Sequence, residues 1–228
     1  MCTSITVNRK KTIIGWNLDL LGMEHRVRIA DGGVYIEIND VAEGWMPLFG
    51  ANRRGDFVGM PTCWPFDDRS DPKEDGCSDV IHLHIDLLLE KKTLPEIREI
   101  AERGPVYSIP GSTFMSALSD AEGNVLYIIP GQGSLYFEKP DHKVITNFSP
   151  FKQDSEKHPW MGWDRYQKAE EMLSQYGDGF DVSDCFAILK EVSQEVCPTV
   201  VSMVYDVTDR KVYWCEDRHW NDIRSCSF

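Results

Sequence analysis

Apolar and polar residues alternate in three parts of the chain, and between these parts apolar residues recur every three to four positions. Alternation is typical of half-buried strands, whereas the longer period is typical of helices. Strands are predicted at 5–7, 13–14, 25–30, 34–38, 45–49, 57–60, 114–118, 125–129, 135–137, 144–146, 200–207 and 212–215. Asp31-Gly32-Gly33 and residues 50–55 are expected to form turns between neighbouring strands.

Four helices are predicted from capping residues and from apolar positions at helical spacing. One follows Ser78-Asp79, and the next begins with Thr93-Leu94-Pro95-Glu96, which combines a capping box with proline in the first turn. The predicted helices cover residues 80–90, 93–102, 164–176 and 183–196. Because strands and helices are segregated into blocks, the sequence predicts an α+β domain with antiparallel sheets and helices layered on their faces.

The composition limits what the protein binds and where it resides. The chain has 228 residues and a formal net charge of −13, which suits one domain and repels nucleic-acid phosphates and anionic lipids. No stretch approaches 18 apolar residues, and the polar run at 8–11 interrupts the apolar start. We therefore expect neither a transmembrane helix nor a signal peptide, no nucleic-acid or membrane partner, and a cytoplasmic location.

Cysteine and histidine spacing does not favour a metal centre. The seven cysteines form no C-x-x-C pair, which argues against a disulfide framework and a zinc ribbon. His82-Leu83-His84-Ile85-Asp86 resembles an H-x-H-x-D metal motif, but it lies in a predicted helix, where residues two apart point about 200° from each other. We expect one histidine to be exposed and the other to lie at the core edge. Six histidines leave a Ser/His/Asp triad open, although no G-x-S-x-G sequence is present.

Cys2 is informative because it directly follows the initiator Met1. Removal of Met1 would leave a thiol and an α-amino group on the same residue. An α-amine, whose reference pKa is roughly 7.7–8.0, can take the thiol proton. One residue then supplies nucleophile and base, as in N-terminal nucleophile hydrolases. The alternative is that Cys2 is a small apolar residue without a catalytic role.

Three further polar residues stand at the ends of predicted elements. Asp19 follows the second strand and could hold the α-ammonium of Cys2. Asn147 ends a strand and could donate to a developing oxyanion. Arg165 begins a helix and could pair with a thiolate or with Asp19. The alternatives are a surface carboxylate, a turn residue before Pro150, and a solvated surface charge, respectively.

Several segments that carry these residues occur in a defined order. They are Cys2-Thr3-Ser4 with Gly15-x-Asn17-x-Asp19, then Gly50-Ala51-Asn52-Arg53-Arg54-Gly55, Thr146-Asn147 and Asp164-Arg165-Tyr166. The ordered set resembles the choloylglycine hydrolase and penicillin V acylase family of linear-amide hydrolases, with its acyltransferase-like and acid-ceramidase-like relatives. The resemblance implies a four-layer αββα sandwich with two antiparallel sheets, formed by residues 2–228 as a single domain.

The resemblance also implies roles for the candidate residues. Cys2 would be the nucleophile with Asp19 beside it, Asn147 would donate to the oxyanion, and Arg165 would lie near the nucleophile. Many members carry Arg where this chain has Trp16.

A second departure concerns the oxyanion site. Bile-salt and penicillin members supply a second oxyanion Asn where this chain has Thr62 or Cys63. A backbone N–H near Thr62 is expected to donate in its place. Trp16, Phe57 and Trp64 would suit an apolar acyl group, or they could belong to the core.

The sequence therefore predicts a cysteine amidohydrolase that cleaves a linear amide of a small N-acyl compound through a thioester, without a cofactor or metal. An acyltransferase using the same acyl-enzyme is one alternative. A non-catalytic member that keeps the fold is another, favoured by Trp16 and Thr62. The resemblance also suggests a homo-oligomer.

Overall fold

The computed structural model of the protein describes residues 1–30, 32–64, 66, 78–151 and 161–228. Its strands are β1 Cys2–Asn8, β2 Thr12–Asp19, β3 His25–Ala30, β4 Gly33–Asp40, β5 Gly44–Asn52, β6 Phe57–Gly59, β7 Ser116–Ser119, β8 Val125–Ile129, β9 Gly133–Phe137, β10 His142–Ile145, β11 Thr199–Asp206, β12 Lys211–Glu216 and β13 Arg224–Ser227. Its helices are α1 Val80–Leu88, α2 Leu94–Arg103, α3 Trp163–Leu173 and α4 Val182–Glu191. Asp31, Cys77 and most of the predicted loop at 63–76 lie outside the described residues.

The strands form two antiparallel sheets that pack face to face. One has six strands in the order β10-β1-β2-β11-β12-β13, and the other has seven in the order β3 to β9. Helices α3 and α4 cover the six-stranded sheet, whereas α1 and α2 pack against the seven-stranded sheet. The four-layer αββα sandwich and the α+β class are therefore confirmed.

Strands β1 and β2 are buried on both faces because they lie inside the six-stranded sheet. One face carries Trp16 and Leu18 into the core between the sheets, and the other carries Ile5 and Ile13 against α3 and α4. Side chains alternate between the two faces along a strand. Burial on both faces explains why β2 is apolar at most of its positions. Because such a strand does not alternate between apolar and polar residues, the sequence predicted only residues 13–14 of it.

The starts of α1 and α2 agree with the capping signals, but Asp164, expected to cap the third helix, lies inside the first turn of α3, whose N-cap is Gly162. Thr93 forms the expected capping box with Glu96, and Asp79 caps α1. Helices α3 and α4 end several residues earlier than predicted. After α4, Gln194 and Thr199 exchange hydrogen bonds that turn the chain into β11.

The sheets differ from the prediction in two places. Residues 50–52 belong to β5 rather than to a turn, because Gly50 allows close approach to β4. A Cβ there would lie 2.2 Å from the carbonyl oxygen of Val34. The edge strand β13 was not predicted, since Arg224–Ser227 is short, polar and largely exposed.

The H-x-H-x-D segment is helical, as predicted, and His82 is exposed on α1. His84, expected at the core edge, is instead fully buried, and its Nε2 lies 2.6 Å from Ser116 Oγ. No cluster of metal-ligating side chains occurs among the described residues. Of the helices that the structure describes, none combines the length and apolar character needed to cross a membrane.

Candidate active site

Cys2 is the first residue of β1, and its neighbours on both sides hold it in place. It pairs with Leu18 of β2, and its backbone N–H donates to Asn147 Oδ1 at 3.0 Å. The β1–β10 ladder ends at the pair Ser4 and Ile145. No residue of β10 is paired with Cys2, and the Cys2 backbone N–H bonds to the side chain of Asn147 instead.

The Asn147 side chain is fully buried and its orientation is defined by its partners. Oδ1 accepts from the Cys2 nitrogen and from Arg165 Nη2 at 2.7 Å. Nδ2 donates to the carbonyl oxygen of Thr62 at 2.6 Å. An amide nitrogen carries two hydrogens, so, counting acceptors among the described residues, one N–H of Asn147 is left for a further acceptor.

Arg165 joins strand β1 to the other polar groups. Its Nη1 donates to the carbonyl oxygen of Cys2 and to Thr3 Oγ1, each at 2.8 Å. The same atom lies 3.6 Å from Asp19 Oδ2. Arg165 is 7% exposed, so the alternative of a solvated surface charge is excluded. A planar guanidinium with several fixed donors suits this set of acceptors.

Helix α3 begins where it does because Gly162 leaves room for the guanidinium. Gly162 has a positive φ of 84°, a conformation that glycine adopts without steric cost. A Cβ at this position would lie 2.7 Å from Arg165 Nη2 and 2.9 Å from Thr146 Oγ1. The hydroxyl of Thr146 donates to the Gly162 carbonyl, which fixes the helix start next to the strand end.

Asp19 ends β2 and is almost completely buried. It accepts from Thr199 Oγ1 at 2.6 Å and from Gln194 Nε2. Burial raises the pKa of Asp19 to about 6, although the hydrogen bond from Thr199 and the charge of Arg165 oppose the increase. Both protonation states of Asp19 are therefore accessible near neutral pH.

With Met1 in place, the Cys2 nitrogen is an amide and the thiol is held neutral. Burial raises the pKa of the Cys2 thiol to about 11, partly opposed by the positive charge of the Met1 ammonium. That ammonium donates to the backbone oxygen of Asp19 at 2.9 Å and lies 3.9 Å from Cys197 Sγ. Met1 thus extends the strand pairing by one residue.

The other predicted site residues fall into two groups. Thr62 and Trp64 border the site, since Thr62 accepts from Asn147 and the Trp64 backbone N–H donates to the Asn147 carbonyl at 2.6 Å. Trp16 and Phe57 are fully buried in the core between the sheets. The Trp16 ring stacks on Phe49 with 5.7 Å between centroids.

Two polar contacts at the site were not predicted. Thr199 and Gln194 bind the carboxylate of Asp19 from positions 180 and 175 residues away. Nothing in the local sequence identifies them, because their approach depends on β11 pairing with β2. The general rule that a buried carboxylate needs hydrogen-bond donors predicts such partners for Asp19 but does not say which residues they are.

The fold is similar to that of several solved hydrolases. A Cys-to-Ala variant of conjugated bile acid hydrolase from Clostridium perfringens matches with a TM-score of 0.69 and 14% identity, over 100% of this chain and 92% of that one. The chain has the fold of these enzymes. Penicillin V acylase from Agrobacterium tumefaciens gives 0.64 and 14%, over 95% and 83% of the two chains.

A third neighbour with this fold is the Caenorhabditis elegans ortholog of N-acylethanolamine-hydrolyzing acid amidase. Its TM-score is 0.63 at 19% identity, over 90% of this chain and 93% of that chain. No family model and no curated protein matches the sequence. The four-layer fold of these proteins is thus shared although few residues are identical.

Proposed function

We propose that the protein is a cysteine N-terminal nucleophile amidohydrolase, formed as a single domain of residues 2–228 when Met1 is removed. It would cleave the linear amide C–N bond of a small N-acyl compound. The observation that carries this proposal is the placement of the Cys2 nitrogen 3.0 Å from Asn147 Oδ1, with Arg165 on the carbonyl oxygen of the same residue. The names of the fold neighbours, all hydrolases or acylases, agree with it.

Removal of Met1 turns the Cys2 nitrogen from an amide into an amine. A free α-amine has a reference pKa of roughly 7.7–8.0, so it can accept the proton of the thiol on its own residue. Asn147 Oδ1 already accepts a hydrogen bond from this nitrogen and would orient the amine. Asp19, whose backbone oxygen holds the Met1 ammonium, lies within the same cluster and would stabilise the ammonium form.

The thiolate attacks the amide carbonyl, forming a C–S bond and a tetrahedral oxyanion. The second N–H of Asn147 Nδ2 is available for that oxyanion, together with a backbone N–H near Thr62. Preorganised donors of this kind contribute roughly 3–4 kcal/mol each in other hydrolases. The Cys63 N–H is excluded as the donor, because it already bonds to the Thr113 carbonyl at 2.6 Å.

Collapse of the oxyanion breaks the C–N bond, and the α-ammonium of Cys2 gives its proton to the departing amine. Water then adds to the thioester, and its proton passes to the α-amine. The C–S bond breaks, the acid leaves and the thiol is regenerated. If an amine replaced water in the second step, the same thioester would transfer its acyl group to that amine. An assay with an added amine therefore distinguishes the two reactions, because only acyl transfer forms a new amide.

Intact-mass analysis tests the proposal with penicillin V or another acylating probe. The active chain should lack Met1 and gain one acyl group, and the Cys2→Ala variant should gain none. Cys226→Ala is the matched control, because Cys226 is a partly exposed free cysteine on β13 and its loss should leave the labelling unchanged. Full turnover by a chain that keeps Met1, or by Cys2→Ala, would contradict the mechanism.

A further inference from the structure

A cavity lies beside the candidate active site, between the β9–β10 edge of the fold and helix α3. Its volume is about 510 Å³, within the range of pockets that bind small molecules. Among the described residues, its lining includes none of Cys2, Asp19, Asn147 and Arg165. The cavity is therefore a site separate from the proposed nucleophile.

Three aromatic rings form one wall of this cavity. Trp163 and Tyr166 stack with 5.3 Å between their centroids, and the ring of Phe148 meets both edge-on at 5.2 and 5.3 Å. The negative faces of such rings attract organic cations. The opposite wall already shows this type of contact, because the ammonium of Lys143 lies 4.1 Å from the centroid of Phe137.

Carboxylates and hydroxyls complete the lining. Glu170 and Asp141 both lie in it, and the imidazole of His142 bridges them at 3.1 and 2.9 Å. Within the described part of the chain, the hydroxyls of Tyr127 and Tyr166 make no hydrogen bond. Burial raises the pKa of both phenols, and the negative charge of the nearby Glu170 carboxylate adds to the increase.

Among the charged groups of the lining, Glu170 is the one left for a ligand of positive charge. Asp141 is paired with Arg9 at 3.5 Å as well as with His142, and the Lys143 ammonium is engaged by an aromatic ring. Within the described part of the chain, Glu170 forms an ion pair only with His142, through Oε2. The whole chain carries a formal charge of −13, so its field attracts cations and repels anions. Aromatic faces, a carboxylate and two phenol oxygens together match an ammonium group attached to an apolar body.

We propose that this cavity binds a small organic cation, with its ammonium group at Glu170 and its apolar body against Trp163 and Tyr166. The ligand class is an arylalkyl or alkyl ammonium. The inference does not depend on the proposed hydrolase activity, because none of the proposed catalytic residues lines the cavity.

Calorimetric titration with 2-phenylethylammonium tests this proposal, with 2-phenylethanol as its neutral counterpart of the same shape. We expect saturable binding at one site in the wild type and in Cys2→Ala. A charge-assisted hydrogen bond contributes enough that the neutral alcohol and the Glu170→Gln variant should each bind at least about tenfold more weakly. Glu171→Gln is the matched control, since Glu171 is the next residue of α3 and does not line the cavity.

Chemical-shift mapping on the wild type gives an independent readout that requires no substitution. The indole N–H of Trp163 should shift with the same saturation curve, and the backbone amide of Thr3, which does not line the cavity, should not. Thermal unfolding shows whether Glu170→Gln remains folded. Equal binding of the alcohol, unchanged binding in folded Glu170→Gln, or shifts confined to Thr3 and Asn147 would overturn the proposal.

Discussion

The guanidinium of Arg165 donates to the side-chain oxygen of Asn147 at 2.7 Å, and that oxygen also accepts the backbone N–H of Cys2. A single amide oxygen therefore connects helix α3 to the first residue of β1. Neither contact is local in sequence, and both are buried. The position of the Cys2 nitrogen consequently depends on how firmly α3 is held against the six-stranded sheet.

Replacing Arg165 by Met should destabilise the protein strongly. The substitution leaves the buried Asp19 carboxylate without its cation and removes donors from Asn147 and Thr3. Breaking a buried charge pair costs about 3–5 kcal/mol, which urea unfolding measures directly. Lys168→Met on the exposed face of α3 is the control, with an expected change within about 0.5 kcal/mol. Equal losses in the two variants would show that the guanidinium does not stabilise the fold specifically.

The raised pKa of Asp19 predicts a pH dependence of stability with a defined sign. The pKa of Asp19 is about 6 in the folded protein and 3.8 as the reference value for the unfolded chain. Between pH 3.8 and 6 the folded state therefore binds a proton that the unfolded state does not. This contribution to stability is present below about pH 3.8 and is lost as the pH rises through 6. The Asp19→Asn variant should lack this component when unfolding free energies are compared across that range. An identical pH profile in both proteins would contradict the raised pKa.

His84 should give the opposite dependence. Burial lowers the pKa of His84 to about 3 from 6.5, so the unfolded state binds the proton first as the pH falls. Its contribution to stability is present above about pH 6.5 and is lost as the pH decreases through 3. The free-energy difference between wild type and His84→Gln should therefore shrink on acidification.

His219→Gln provides the control for His84, because the side chain of His219 is exposed. Its unfolding free energy should differ little from that of the wild type at each pH. A pH-dependent difference as large as that of His84→Gln would mean that burial does not cause the effect.

Gly59→Ala should destabilise the core through Trp16. A Cβ at residue 59 would lie 2.6 Å from two ring carbons of Trp16. Overpacking of this kind costs about 1–3 kcal/mol, and the cost should be smaller in a Trp16→Leu background. A double-mutant cycle measures this coupling, which is expected to exceed about 0.5 kcal/mol. Gly104→Ala is the control, since nothing lies within 4 Å of a Cβ there.

Strand and helix positions were predictable wherever apolar periodicity and capping residues were both local. Strands β3 and β8 have the predicted limits, and the capping box at Thr93 marked α2 correctly. Strand β13 has no apolar alternation, and its pairing with β12 depends on tertiary structure. The early end of α4 likewise depends on the contact between Gln194 and Thr199.

The cluster of Cys2, Asp19, Asn147 and Arg165 was anticipated from the order of motifs rather than from any single one. The structure brings all four together through the pairing of β1 with β2 and the start of α3. The burial of Arg165 could not be predicted, because it depends on α3 covering the site. The cavity lined by Trp163 and Glu170 could not be predicted from the sequence either. Its lining comes from β8, β9, β10 and α3, and these elements meet only in the folded structure.

The hydrogen bonds of the Met1 ammonium determine how the protein should be produced for these measurements. A purification tag fused ahead of Met1 would replace the ammonium that donates to Asp19 and would leave Cys2 with an amide nitrogen. Phe228, at the opposite end of the chain, is 37% exposed and can carry a tag. Recombinant protein for the assays should therefore be tagged after Phe228, so that host methionine aminopeptidase can reach Met1.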